Sequence, residues 1–138
     1  MVQNDAQQPT ILIVDDELDL RFFLSTLFET SGFHAVTARD GHDGLNLARK
    51  RRPSLIILDV MMPGEGGAAM YKALKADPQL APIPVIMLSA VDEKAFRHYL
   101  TMLNAQLPSP VPPPNAYMEK PPDPDALLTL ARKVLGAH

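Results

Sequence analysis

Two uninterrupted apolar runs rich in β-branched residues, Ile11-Leu12-Ile13-Val14 and Leu55-Ile56-Ile57-Leu58, constrain the fold more than any other feature of the chain. A strand with one face in water alternates apolar and polar residues. A continuous apolar run instead suits a strand buried on both faces, as in the centre of a parallel sheet, and such a sheet must be covered by helices on both sides.

The segments between the strands supply those helices. Strand-like runs recur at Ile11 to Val14, Phe33 to Ala38, Leu55 to Leu58, Val85 to Leu88 and, more weakly, Ala116 to Met118, each followed by residues of helical spacing. Leu20, Phe23, Leu24, Leu27 and Phe28 form one stripe, ending at Gly32, a residue suited to the left-handed C-terminal position. Leu45 and Ala48 begin a second, and Met70, Ala73 and Leu74 mark a third. Phe96, Tyr99, Leu100 and Leu103 mark the fourth, from Asp92 to about Leu103. Leu127, Ala131, Val134 and Leu135 mark the fifth, with Asp123 or Asp125 as its N-cap.

Right-handed crossovers leave few topologies for five βα units. The flavodoxin-like, doubly wound α/β fold with a five-stranded parallel sheet of order 2-1-3-4-5 and five helices is the expected one. A chain of 138 residues holds one such domain, residues 1–138, with a flexible N-terminus at 1–9 and a proline-rich loop at about 105–115 before the fifth strand. In this order the topological switch point lies between strands 1 and 3, so ligands are expected at the carboxyl ends of those two strands.

Composition excludes several functions. A net charge of −3 is a poor match to duplex phosphate, so no direct nucleic-acid partner is expected. The chain has no Cys, which removes disulfides, thiolate metal sites and a thiol nucleophile. No apolar run approaches the roughly 18 residues of a membrane span, and Met1 to Gln8 has no signal-peptide layout; the expectation is a cytoplasmic protein with no membrane contact.

The expected crevice holds Asp15, Asp16 and Asp59. Three carboxylates in one place repel unless protons or a cation neutralise them, and hard oxygen ligands suit Mg²⁺. An isolated Asp15-Asp16-Glu17 triplet can also simply cap a helix. Asp59 argues against that reading, because a carboxylate ending a wholly apolar strand does nothing for a core. Ser89 and Lys120 arrive at strand ends on the same side. Singly, Ser89 reads as a helix cap and Lys120 as a solvated lysine; together with the carboxylates they make a phosphoryl-transfer site of nucleophile, metal, point charge and hydroxyl.

With those residues in place, the sequence resembles bacterial response-regulator receiver domains from about Ile11 to Leu135. The resemblance rests on four motifs: Ile11-Leu12-Ile13-Val14-Asp15-Asp16-Glu17, Leu55-Ile56-Ile57-Leu58-Asp59-Val60-Met61-Met62-Pro63-Gly64, Val85-Ile86-Met87-Leu88-Ser89-Ala90 and Tyr117-Met118-Glu119-Lys120-Pro121. It implies that Asp59 is the phosphoacceptor, charged from a sensor histidine kinase or phosphotransfer protein. It further implies that Mg²⁺ is held by Asp16, Asp59 and the Met61 backbone carbonyl, with Asp15 acting through water. Lys120 and Ser89 would contact the phosphoryl group, Tyr117 would follow Ser89 inward as a switch, Ala90 would keep the approach open, and the Lys120–Pro121 bond would be cis. From the residues alone, Tyr117 can equally be a half-buried strand aromatic.

The chain departs from that family between Ser89 and Lys120, where it is longer by about nine residues. Eight of its fourteen prolines lie between Pro108 and Pro124, so this stretch is expected to be a stiff surface connector outside the core, and Pro110 to Pro113 matches PxxP without needing to act as one. His34, His42, His98 and His138 lack metal-ligand spacing. Arg49 to Arg52 is expected to complement a helix C-terminus.

The resemblance implies a signalling switch, not an enzyme. Only Gly136 to His138 follow the fifth helix, so the expectation is a stand-alone receiver whose output passes to a separate, unknown downstream protein. Two alternatives remain at this point. One is a receiver-like binding module that is not phosphorylated and recognises partners through the proline-rich loop. The other is a Mg²⁺-dependent aspartyl-phosphate phosphohydrolase. A flavin site is disfavoured because Asp15-Asp16-Glu17 would repel a phosphate.

Overall fold

A computed structural model describes residues 8–60 and 66–136 of the chain. Five strands alternate with five helices: β1 (Thr10–Val14), α1 (Leu18–Glu29), β2 (His34–Ala38), α2 (Gly41–Arg51), β3 (Leu55–Leu58), α3 (Gly66–Ala76), β4 (Val85–Ser89), α4 (Glu93–Asn104), β5 (Ala116–Glu119) and α5 (Pro124–Gly136). The sheet is parallel throughout, in the order β2-β1-β3-β4-β5. This is the expected flavodoxin-like arrangement.

The two apolar runs behave as continuous burial requires. Successive side chains of β1, β3 and β4 point to opposite faces of the sheet, and both faces are covered. Ile11, Ile13, Leu55, Ile57, Ile86 and Leu88 pack with Leu24 and Phe28 of α1 and with Leu127 and Ala131 of α5. Leu12, Val14, Ile56, Leu58, Val85 and Met87 pack on the other face with Ala48 of α2, Met70 and Leu74 of α3, and Phe96 and Leu100 of α4.

Local chemistry sets the helix ends. Asp40, Asp92 and Asp123 each accept from a backbone N–H three residues on, at 2.8, 2.7 and 2.8 Å, satisfying donors that a helix start otherwise leaves open. Of the two candidates for α5, Asp123 is therefore the cap. After α1 the chain turns through Gly32 at φ 94°, where a β-carbon would be strained. Arg52 takes the same left-handed role after α2 at φ 47°, and its side chain donates to Gln79 at 2.7 Å. The basic run thus closes a helix, as expected.

Two expectations need correction: the aromatic members of two helical stripes, and the place of the proline-rich loop. Phe23, placed in the core stripe of α1, is 40% exposed, and Tyr99 of α4 is 46% exposed; their neighbours one step along, Leu24 and Leu100, are buried, as are Phe28 and Phe96 of the same stripes. The Pro9 carbonyl accepts from His34 N at 2.9 Å just before β1 begins; residues 1–7 of the expected N-terminal segment lie outside the described residues, as does His138. The proline-rich loop is not confined to the surface. Val111 is buried within the α3–α4 core, and Leu107 packs beside it. Among the described residues, no helix is long and apolar enough to cross a membrane.

Candidate functional site

Backbone pairing past the strand ends assembles the site. Asp15 N donates to Ala38 O, Asp59 N to Val14 O and Lys120 N to Ser89 O, at 3.1, 3.0 and 2.8 Å. These bonds prolong the ladder by one residue at its carboxyl edge. They carry Asp15, Asp59, Ser89 and Lys120 to one edge of the sheet from four different strands. The strand order, which runs outward to β2 on one side of β1 and to β3, β4 and β5 on the other, reverses between β1 and β3, and that switch point opens the crevice there.

Asp15, Asp16 and Asp59 form one acidic group, each offering a carboxylate oxygen with all such oxygens within 4.8 Å of one another. Asp15 and Asp59 are buried and Asp16 is exposed. Burial pushes the Asp15 carboxyl above its ordinary value, against the opposing effects of the Glu17 N–H and Lys120. Such a cluster is tolerable only with protons or a cation, and the protein provides a cation of its own. Lys120 Nζ lies 2.9 Å from Asp15 Oδ2 and 3.1 Å from Asp59 Oδ2. Burial opposes the charge on this ammonium, but Glu17, Asp15 and Asp59 together outweigh it and raise its pKa.

Glu17 is the residue that sequence reasoning left out of the site. Its carboxylate stands 2.7 Å from Lys120 Nζ, the shortest of the three ion pairs. Glu17 occupies the N-cap position of α1 yet makes no side-chain cap bond. Its own N–H donates to Asp15 Oδ1 at 2.9 Å. The acidic triplet carried the signal, but helix capping accounted for its third member too readily.

Ser89 is fully buried, and its hydroxyl accepts from Val91 N at 3.2 Å, bracing the turn into α4. The half-buried Tyr117 donates its hydroxyl to the Val91 carbonyl, and its ring lies 5.3 Å from that of Phe96. Burial raises its pKa. Ser89 and Tyr117 therefore meet on the two sides of one residue, Val91. The Lys120–Pro121 peptide is cis, as expected. Ala90 is exposed beside the crevice. The Met61 carbonyl, with Met62, Pro63 and Gly64 of the same motif, lies outside the described residues.

A family model for the response regulator receiver domain matches residues 11–132. The chain belongs to that family. Among relatives of this receiver domain, Protein PilH of Pseudomonas aeruginosa is 30% identical over 126 residues, 91% of this chain and 97% of that protein. The polar-differentiation response regulator DivK of Brucella anthropi is 37% identical over 91 residues, 63% of this chain and 73% of that protein. Other relatives are longer: the probable transcriptional regulator ycf27 of Porphyra purpurea is 38% identical over 93 residues, 67% of this chain, and the chain spans 37% of its length. Among solved structures, the chemotaxis protein CheY4 of Vibrio cholerae superposes with a TM-score of 0.79 at 27% identity, covering 92% of this chain and 98% of that one.

Proposed function

We propose that this receiver domain takes a phosphoryl group onto Asp59 from the phosphohistidine of a sensor kinase or phosphotransfer protein, and signals through the resulting change around Ser89, Val91 and Tyr117. The observation that carries the reading is the convergence of Asp15, Asp16 and Asp59 with Lys120 at the sheet edge. The non-phosphorylated binding module has less in its favour, because that constellation is complete among the described residues.

The donor set fits a hard divalent cation: three carboxylates with oxygens mutually close, and no sulfur or imidazole among them. Asp16 and Asp59 would hold Mg²⁺ directly, with the Met61 carbonyl as a further ligand and Asp15 through water. When bound, the ion neutralises charge on the phosphoryl oxygens.

The residues of the chain do the rest. An Asp59 carboxylate oxygen attacks phosphorus, the phosphorus–nitrogen bond of the donor breaks, and the imidazole leaves with the bonding electrons and takes up a proton. The Lys120 ammonium, already beside Asp59, offers its donors to the incoming oxygens. The acyl phosphate brings about −1.5 to −2 charge, which the buried crevice tolerates only by turning donors toward it. Ser89 is the nearby hydroxyl able to do so, and releasing its bond with Val91 N loosens the residue that holds Tyr117. The domain thus serves as a switch whose partners read its surface.

Intact mass after incubation with acetyl phosphate and Mg²⁺ tests this. Wild type gains one phosphoryl mass, lost without Mg²⁺, and Asp59→Ala gains none. Labelling that survives in Asp59→Ala would place the acceptor elsewhere.

A further inference from the structure

We propose that Glu17 is a positioning residue, which keeps the Lys120 ammonium at the mouth of the crevice once Asp15 and Asp59 are engaged by a divalent cation. This rests on the reading of the crevice as a metal-dependent phosphoacceptor site.

An ammonium has three N–H donors, and Lys120 meets three carboxylates, Glu17 at 2.7 Å, Asp15 at 2.9 Å and Asp59 at 3.1 Å. Those three are not equivalent. Asp15 and Asp59 are members of the acidic group that fits a cation, whereas Glu17 stands outside it. A cation and Lys120 therefore compete for the same two buried carboxylates. Without a further partner, the lysine in a cation-loaded crevice would face a positive charge and could relieve the repulsion by swinging its flexible stem into water.

Glu17 supplies that further partner. At the N-cap of α1 a shorter side chain would turn back on the helix. The Glu17 carboxylate instead reaches to Lys120, 103 residues away in sequence. Its backbone N–H is fixed to Asp15 Oδ1, so the approach of the side chain is set by the same crevice it serves. The Glu17 side chain is 61% exposed and that of Lys120 is 15% exposed, so Glu17 holds the ammonium from the solvent side of the crevice.

The role operates through Lys120, and a double-mutant cycle separates it from a simple loss of negative charge near the cation. Glu17→Gln, Lys120→Met and the double variant are titrated with Mg²⁺ by the shift in melting temperature, and labelled with acetyl phosphate. With Lys120 present, Glu17→Gln leaves the ammonium leaning on Asp15 and Asp59, so Mg²⁺ binds about two- to fivefold more weakly, the scale of one solvent-screened ion pair. The acetyl phosphate concentration for half-maximal labelling rate rises by a similar factor, with the maximal rate little changed, and Glu17→Asp recovers part of both losses. With Lys120→Met in place, Glu17→Gln changes neither quantity appreciably. Equal effects of Glu17→Gln in both backgrounds overturn the proposal, since a through-space charge does not depend on Lys120. Failure of the wild type to bind Mg²⁺ overturns it as well. Intact Mg²⁺ binding with the expected coupling, but no labelling of wild type, leaves the Glu17–Lys120 linkage standing and removes the phosphoacceptor reading alone.

Discussion

Asn104 grips Val111 by both ends of its side-chain amide: Nδ2 donates to the Val111 carbonyl at 2.9 Å, and Oδ1 accepts from the Val111 N–H at 2.7 Å. The last residue of α4 thus offers a strand-like edge to a loop that has no strand to pair with. Around this clamp, Tyr71 of α3 donates its hydroxyl to the Pro112 carbonyl, and Asn115 exchanges two bonds with Val85 at the start of β4, at 2.9 and 3.0 Å. Prolines remove backbone donors, so a proline-rich loop can be held only through its carbonyls and its few non-proline N–H groups. Val111 is one of those few.

Asn104→Ala should therefore destabilise the domain by about 1–3 kcal/mol, because it leaves both backbone groups of Val111 without partners in a partly buried setting. Urea denaturation measures this. Val111→Ala should cost about 1–2 kcal/mol through lost apolar burial. Replacing the loop by a short turn should lower stability as well, where a surface connector would allow the exchange freely. A loop replacement as stable as wild type would show that the Val111 anchor is dispensable.

The central sheet and the crevice residues were legible because each has a strong local signature: uninterrupted apolar runs for β1 and β3, and a polar residue ending each of four strands. Gly32 was readable for the same reason. The loop was not, because its attachment comes from a few side-chain and backbone bonds made by Asn104, Asn115 and Tyr71, residues that carry no periodicity. The Phe23 and Tyr99 misplacements show a second limit. A helical stripe wide enough to be recognised includes flanking aromatics that the packed neighbour does not reach. Glu17 was hidden by a local explanation, helix capping, that fitted its position but is not what its side chain does.

Lys120 is the counterion that makes the acidic crevice tolerable without metal. Removing it leaves two buried carboxylates, Asp15 and Asp59, without their ammonium. Lys120→Met should lower metal-free stability by up to about 3–5 kcal/mol, the scale for breaking a buried pair. Mg²⁺ should recover a larger share in the variant than it adds to wild type. Thermal melts of both proteins with and without Mg²⁺ provide the check, and equal Mg²⁺ increments would mean that lysine and metal do not share ligands.

The pH dependence of metal-free stability follows from Asp15. Its pKa is raised by burial from 3.8, so over the interval between 3.8 and the raised value the folded state keeps a proton that the unfolded chain has released. Stability falls as pH rises through that interval. Asp15→Asn cannot release the proton. The stability of the variant relative to wild type should therefore improve as pH rises across the interval and level off above it, as read by urea melts at a series of pH values without metal. Lys120 does not obscure this. Its raised pKa means its contribution is complete below the unfolded value of 10.5 and is lost only in more alkaline solution. A variant-minus-wild-type difference that is flat from pH 3.5 to pH 8 would contradict the burial of an ionisable Asp15.

Gly67 couples the start of α3 to the backbone at the end of β3. A β-carbon there would stand 1.7 Å from the Asp59 carbonyl oxygen and 2.8 Å from Val60 Cα, both backbone atoms that cannot turn aside. Gly67→Ala must displace either α3 or the backbone of Asp59 itself. It should cost about 1–3 kcal/mol, the range for forced overpacking, and should slow acetyl phosphate labelling beyond what the loss of folded protein explains. Gly44→Ala is the control. Its β-carbon would meet Met70 Sδ at 2.8 Å and Val14 Cγ2 at 2.9 Å. These are side-chain atoms, the first at the end of a flexible methionine, and alanine also gains about 1 kcal/mol over glycine inside a helix. Gly44→Ala should thus be milder in stability and neutral in labelling rate per folded molecule. Equal labelling rates for the two variants, after correction for folded fraction, would show that the close approach of α3 does not set the geometry of Asp59.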